Sequence, residues 1–262
     1  MPLIFFDDLR LNAEISGPVN GPPLVLLHAL GTNLTVWDQV VALLPPSCRI
    51  LRIDQRGHGK SDTPPAPYGM GALIRDSERL MDHFGLRDAV VVGLSLGGLV
   101  AQGLAVKRLD LVRGMVLSNT AAKIGTPELW AARIAEVRAD GLTGYADGAM
   151  QRMFGRNHAA IPGTAIVRDM LIATSVEGWT GCAAAIAGAD FYTPTASLSL
   201  PTLAIAGAND GTTPPDLVRE TADLIRGARF EIIRGAGHLP MVEKPVEYAA
   251  LIAGFLRSIG HV

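Results

Sequence analysis

Ser95 stands at the centre of Gly93-Leu94-Ser95-Leu96-Gly97, with the apolar run Ala89-Val90-Val91-Val92 before it and Gly98-Leu99-Val100-Ala101 after it. A buried strand that turns abruptly into a helix around a serine needs residues without bulk two positions to either side, because the turn is tight and the serine backbone is strained. The hydroxyl then stands at a helix N-terminus, where the peptide dipoles favour developing negative charge. A serine hydroxyl is a weak nucleophile at neutral pH. It needs a base within hydrogen-bond reach, and the base needs a carboxylate to orient it. Asp210 fits the carboxylate, since Gly207-Ala208-Asn209-Asp210 follows the strand-like run 202–206; Asn-Asp-Gly is also ordinary turn sequence. His238 fits the base, because Gly235-Ala236-Gly237-His238 follows the run 229–233 in a loop made pliable by two glycines. His83, His158 and His261 read as structural or solvated, and His58, in Arg56-Gly57-His58-Gly59, as shaping a loop beside the sheet.

Attack on a carboxylic ester makes an oxyanion that needs two amide donors. Leu96, the residue after the nucleophile, supplies one N–H, and the loop His28-Ala29-Leu30-Gly31 should supply the other from Leu30. Both donors are main-chain groups, so side-chain replacement at Leu30 or Leu96 should matter far less than Ser95→Ala.

The elements that must position these residues are legible as alternating runs. Pro23 to His28, Cys48 to Asp54, Ala89 to Val92, Gly114 to Ser118, Pro201 to Gly207 and Arg229 to Ile233 read as buried strands. Met70 to Phe84, stopping at Gly85, and Leu96 to Lys107 read as helices between them, with a last helix from Pro245 to Ser258. Continuous Val/Ile/Leu strands separated by helices mean a parallel sheet covered on both faces. Phe5-Phe6 and Leu9 to Ile15, joined across Asp7-Asp8, suit an antiparallel hairpin leading into it. From Ala121 to Tyr192 the pattern is helical only (Glu128 to Ala139, Tyr145 to Phe154, Ile166 to Thr174, Trp179 to Ala187), as expected of a lid inserted over the sheet. The expected fold is therefore α/β, a mostly parallel eight-stranded sheet flanked by helices. Residues 1–120 and 194–262 would form the core and 121–193 the helical cap.

Size and composition agree with one large domain, or a domain carrying an insertion, that buries a sizeable core. The 262 residues are 48% hydrophobic and 18% charged, with a formal net charge of -2. Without a long basic run, neither nucleic acid nor an anionic membrane is the expected partner. The longest apolar stretches are strand-sized, well below a membrane span. Residues 1–8 have no basic segment followed by an apolar run, and Cys48 and Cys182 lie far apart; both point to a cytoplasmic protein with reduced thiols. The histidines are scattered without metal-ligand spacing, so no metal and no cofactor is expected, and an oligomer is left open.

With these residues in place, the chain resembles the α/β-hydrolase superfamily over its full length, and within it the β-ketoadipate (3-oxoadipate) enol-lactone hydrolases of aromatic catabolism. The likeness is carried by Leu30-Gly31-Thr32-Asn33-Leu34 with Trp37-Asp38, Asp54-Gln55-Arg56-Gly57-His58-Gly59-Lys60-Ser61-Asp62, Gly93 to Gly98, and Pro201 to Gly207. Its most specific part is Ser118-Asn119-Thr120-Ala121-Ala122-Lys123-Ile124-Gly125-Thr126-Pro127-Glu128-Leu129-Trp130, continuing through Ala132-Arg133-Ile134. The chain departs from that pattern at His28-Ala29 and around Asp190-Phe191-Tyr192. The order Ser95, Asp210, His238 along the chain is the superfamily's order.

The resemblance implies a five-membered enol lactone bearing a carboxymethyl arm. A guanidinium matches such a carboxylate bidentately. Arg133, one helical turn after Trp130, is the residue suited to it, the alternative being a solvated arginine on the lid; Trp130 and Trp179 are pocket wall or lid packing, and Trp37 core or pocket floor. Three rivals share the scaffold: a promiscuous small-ester or lactone hydrolase with perhydrolase side activity, a carbon–carbon bond hydrolase of ring-cleavage products, and a non-catalytic ligand-binding module. A haloalkane dehalogenase is disfavoured, since its nucleophile is an aspartate where this chain has Ser95.

Overall fold

The computed structural model describes residues 3–155 and 158–262. In chain order the strands are β1 (Ile4–Phe5), β2 (Arg10–Leu11), β3 (Ala13–Ser16), β4 (Pro23–Leu27), β5 (Arg49–Ile53), β6 (Ala89–Leu94), β7 (Val112–Ser118), β8 (Thr202–Gly207) and β9 (Arg229–Ile233). The helices are α1 (Asp38–Val41), α2 (Met70–His83), α3 (Leu96–Lys107), α4 (Pro127–Phe154), α5 (Thr164–Ala173), α6 (Val176–Ala187), α7 (Tyr192–Ala196), α8 (Pro215–Leu224), α9 (Pro240–Glu243) and α10 (Pro245–Ser258).

Seven strands form the main sheet in the order β3-β5-β4-β6-β7-β8-β9. Only β3 runs antiparallel to its neighbour; every other pair is parallel. Strands β6 and β8 are buried along their whole length, which is why they read as unbroken apolar runs rather than alternating ones. Because the parallel strands share a direction, the loops after β4, β6, β7, β8 and β9 all emerge at one edge of the sheet.

The expected eighth strand is not in this sheet. β1 and β2 pair with each other, Ile4 opposite Leu11 and Phe5 opposite Arg10, as a separate two-stranded ribbon. The expected hairpin forms across Asp7-Asp8, but the chain breaks at Asn12 before β3 begins. At the break the Asn12 N–H donates to Ser61 Oγ at 2.9 Å and its side-chain amide to Asp54 Oδ2 at 2.7 Å, while its carbonyl accepts from Asp54 N–H at 2.9 Å beside the β3–β5 pairing.

Between β7 and β8 the described residues form helices and no strand. The two helical runs expected at 128–139 and 145–154 form two helical segments, together labelled α4, that are separated at Gly141 (φ 69°, ψ 174°), a conformation open to glycine. The α5 and α6 helices pack against it, and α7 returns to the core, where Thr195 Oγ1 donates to Gln102 Oε1 of α3 at 2.7 Å. Among the described residues no single helix is long and apolar enough to cross a membrane.

Candidate active site

The turn from β6 into α3 has Ser95 at its corner with φ 53° and ψ -112°, in the left-handed half of backbone space that non-glycine residues rarely occupy. The flanking glycines are required by contact. A Cβ on Gly93 would stand 2.3 Å from Gly97 O, and one on Gly97 would stand 2.2 Å from Leu27 O. Ser95 is held by its own main chain, its N–H donating to Ser118 O at 3.0 Å and its carbonyl accepting from Thr120 Oγ1 at 2.7 Å. The Leu96 N–H is the first of α3 and has no intrahelical acceptor.

The loop after β4 carries Leu30 and is pinned by the segment after β5. Gly31 N–H donates to His58 Nε2 at 2.9 Å, Gln55 N–H to His28 Nε2 at 3.0 Å, Gln55 Nε2 to the His28 carbonyl at 2.6 Å, and Leu34 N–H to Asp54 Oδ1 at 2.7 Å. His28, at one of the two departures from the resembled pattern, is thus a structural hub. Burial, helped by the neighbouring His28, pushes the His58 imidazole down to about 3, so it stays neutral and able to accept from Gly31. With the Gly31 N–H already engaged, Leu30 N–H is the donor this loop leaves for a ligand.

Asp210 follows β8 and is buried. Its Oδ2 accepts from Asn119 Nδ2 at 2.8 Å and from Thr213 Oγ1 at 2.7 Å, and its Oδ1 accepts from the N–H of Thr212 at 2.7 Å and of Thr213 at 3.1 Å. Burial alone would raise the pKa of this carboxyl. The His238 charge and these donors outweigh burial and hold it below the ordinary carboxylate value. His238 follows β9, is 1% exposed, and donates from Nδ1 to Asp210 Oδ2 at 2.7 Å. Its main-chain N–H donates to the Met153 carbonyl at 2.7 Å, so the last turn of α4 anchors the histidine loop. Nε2 is the nitrogen left for chemistry.

Ser95 and His238 line one cavity, without a hydrogen bond between them in this structure. The same cavity is lined by Leu30, Trp130, Arg133, Tyr145, Arg152 and Trp179, among others, and among the described residues no acidic side chain lines it. Arg133 lies 4.9 Å over the Trp130 ring, while Trp130 Nε1 donates to Ile124 O at 2.6 Å. Burial, with the positive charge of Arg152 adding to it, lowers the Arg133 pKa. Trp37, in contrast, is core: it is fully buried against Tyr248 with ring centroids 6.3 Å apart and does not line the cavity. No cluster of three His, Cys, Asp or Glu side chains among the described residues is arranged to hold a metal.

Asn119, Thr213, Tyr145 and Arg152 escaped the sequence reading. Asn119 reaches Asp210 from 91 positions away, whereas Thr213 caps it from three residues on within the same turn. The other two left a signal, since Tyr145, Ala149 and Arg152 fall at i, i+4 and i+7 on one helical face, and all three line the cavity.

Residues 24–251 match the model of the alpha/beta hydrolase family. The chain is 34% identical over 254 residues to 3-oxoadipate enol-lactonase 2 of Acinetobacter baylyi, covering 94% of each. The enol-lactonase from Burkholderia xenovorans LB400 superposes with a TM-score of 0.92 at 33% identity, over 98% of this chain and 100% of that one. A malate-bound thermophilic esterase from Thermogutta terrifontis superposes with a TM-score of 0.88 at 32% identity, over 97% of this chain and 95% of that one. Fold, strand-to-helix serine turn and relatives converge: this chain belongs to the alpha/beta hydrolase family.

Proposed function

We propose that this enzyme is a serine hydrolase of carboxylic ester bonds that opens a small lactone, and that its substrate is 3-oxoadipate enol-lactone. One observation carries the mechanism: the strained Ser95 turn opens into a cavity shared with a histidine whose other ring nitrogen is tied to a buried, anionic aspartate. Relatives at 33–34% identity over nearly the whole chain, named as enol-lactonases, support the substrate.

Ser95 Oγ attacks the ring carbonyl and gives its proton to His238 Nε2, while Asp210 holds the imidazole in the Nδ1–H tautomer and stabilises the imidazolium. Leu30 and Leu96 N–H receive the oxyanion, each donor contributing about 3 kcal/mol of transition-state stabilisation. Collapse breaks the ring C–O bond, and the departing enolate oxygen takes the proton back from His238. The enol stays tethered to the acyl chain and becomes a ketone. Water, deprotonated by His238, then frees Ser95 and the second carboxylate, giving 3-oxoadipate. Trp130 forms a wall of the pocket and Arg133 meets the carboxylate of the carboxymethyl arm. Residues 121–193 serve as the cap over this chemistry, and 1–120 with 194–262 as the core that bears it.

A second reading, a broad small-ester esterase, is favoured by the similarity to the Thermogutta terrifontis esterase. Steady-state assays of the enol-lactone derived from muconolactone, beside p-nitrophenyl acetate, separate the two. The enol-lactone should be turned over with a kcat/KM at least a hundredfold above the acetate; a preference for the acetate would replace the lactonase by the esterase.

A further inference from the structure

Glu243 serves both flanks of His238. Its Oε2 accepts from Gly237 N–H at 2.7 Å, and Leu239 N–H also favours its charged form. The N–H between them, that of His238 itself, goes to Met153 O at 2.7 Å, while the Gly237 carbonyl accepts from Asn119 Nδ2 at 3.1 Å. The peptide groups around the histidine are thus set from three directions, one of which is a carboxylate. Glu243 reaches them from the last position of α9, and it does not line the catalytic cavity.

Stability does not account for this carboxylate. It is half-buried with the Asp210 charge nearby, and its pKa is pushed up to about 7. Near neutral pH the fold therefore holds a negative charge where burial and Asp210 both oppose one. Glutamine would fill the same space without that penalty. A carboxylate retained against stability beside an acid–base pair points to function rather than packing. The charges that reach it are Asp210, which opposes its ionisation, and His238, which favours it. Lys244 and Glu247 share with it a surface groove through which solvent protons can arrive. In α1, also packed on α9, the charge is Asp38, which is paired with Arg52. Tyr248 of α10 is turned to Trp37, and the Arg152 guanidinium of α4 lies over Tyr145.

We propose that Glu243 is the positioning residue of the histidine loop: its carboxylate, holding the amides that flank His238, sets the direction in which Nε2 meets the Ser95 hydroxyl and then the hydrolytic water. This rests on the reading of Ser95 as nucleophile and His238 as base. Protonation leaves one good acceptor oxygen where the carboxylate has two, so the latch is tight above about pH 7 and loosens below it. A base displaced by a fraction of an ångström slows the chemistry and leaves ester binding alone.

Steady-state hydrolysis of p-nitrophenyl acetate at pH 8.5 and pH 5.5 tests the latch. Glu243→Gln keeps the shape but places an amide donor where the second carboxylate oxygen stood. At pH 8.5 its kcat should lie on the order of tenfold below that of the unsubstituted enzyme, with KM changed less than about twofold. At pH 5.5, where the unsubstituted enzyme carries the protonated carboxyl, the two kcat values should agree within about twofold. Glu243→Asp, which restores the charge on a shorter arm, should recover part of the loss at pH 8.5. A kcat within threefold at pH 8.5 in soluble Glu243→Gln, or a deficit of equal size at both pH values, would overturn the proposal. Should the variants fail to fold, NMR of the unsubstituted protein decides. The Glu243 carboxyl carbon and the Gly237 amide proton should titrate with one shared midpoint; an amide that does not move, or moves with another midpoint, overturns the latch. If no ester is hydrolysed at all, the nucleophile reading fails instead, and the same paired titration still decides whether Glu243 holds the loop.

Discussion

Asp210 accepts from His238, Asn119, the Thr213 hydroxyl and two main-chain N–H groups, so its charge and its orientation are both fixed before any ligand arrives. Asp210→Asn keeps the shape but offers the imidazole a donor in place of an acceptor, turning the ring to the wrong tautomer; kcat should fall on the order of 10⁴-fold with little change in melting temperature. Asn119→Ala removes one of several donors and leaves the Gly237 carbonyl without its partner. It should cost about 1–3 kcal/mol of stability in urea titration and reduce kcat far less than Asp210→Asn. Ser95, Asp210 and His238 were legible because each directly follows a strand and two of them stand among glycines. Asn119 was not, because it lies 91 positions from the carboxylate it serves, and no local pattern marks a contact made through the fold. Arg152 was missed for a different reason: a lone arginine on an amphipathic helix reads as solvated until the facing wall is known.

The loop that carries Leu30 owes its shape to the segment after β5, through His58, Gln55 and Asp54. The expectation that His58 shapes a loop rather than performs chemistry agrees with its hydrogen bond from Gly31. This arrangement has a pH signature. The His58 pKa falls from the ordinary 6.5 to about 3 on folding, so the unfolded chain binds the extra proton. The stability gained is complete above about pH 6.5 and is lost as pH falls toward 3. It amounts to on the order of 3 kcal/mol between pH 7 and pH 4. Melting curves should show a shallower acid slope for His58→Gln than for the unsubstituted enzyme, though not a flat one, because burial also lowers the His28 pKa. An unchanged slope would show that His58 is not held neutral. Element types were readable nearly throughout, since strand and helix periods differ so plainly. What periodicity could not reveal was that the first hairpin would form a ribbon apart from the main sheet, with Asn12 after it bonded to Ser61 and Asp54 far along the chain.

At the scale of the whole molecule, six neighbouring strands of the main sheet, β5 through β9 with β4 among them, run in parallel and deliver the loops with Leu30, Ser95, Asn119, Asp210 and His238 to one edge. The helices between β7 and β8 close over that edge and supply Trp130, Arg133, Tyr145, Arg152 and Trp179. The helix-only stretch between β7 and β8 was visible in the sequence because strands and helices alternate on either side of it. Which helical stripe faces the cavity was not, because packing decides it. Within the histidine loop itself, Glu243 accepts from Gly237 N–H at 2.7 Å. Burial, with the Asp210 charge nearby, pushes its carboxyl up to about 7. The folded state thus holds this proton more tightly, and the associated stability is present below about pH 4.5 and lost as pH rises through 7. Glu243→Gln, which mimics the protonated form, should be the more stable protein at pH 8 by on the order of 1 kcal/mol and should lose that advantage at pH 5. The proposed nucleophile is Ser95, and trapping the covalent bond proposed for it is the most direct measurement. Treatment with a fluorophosphonate followed by peptide mass spectrometry should find one adduct per chain, on Ser95, with activity lost in proportion and no labelling of Ser95→Ala. Full turnover by Ser95→Ala, or stoichiometric labelling at another residue, would contradict it.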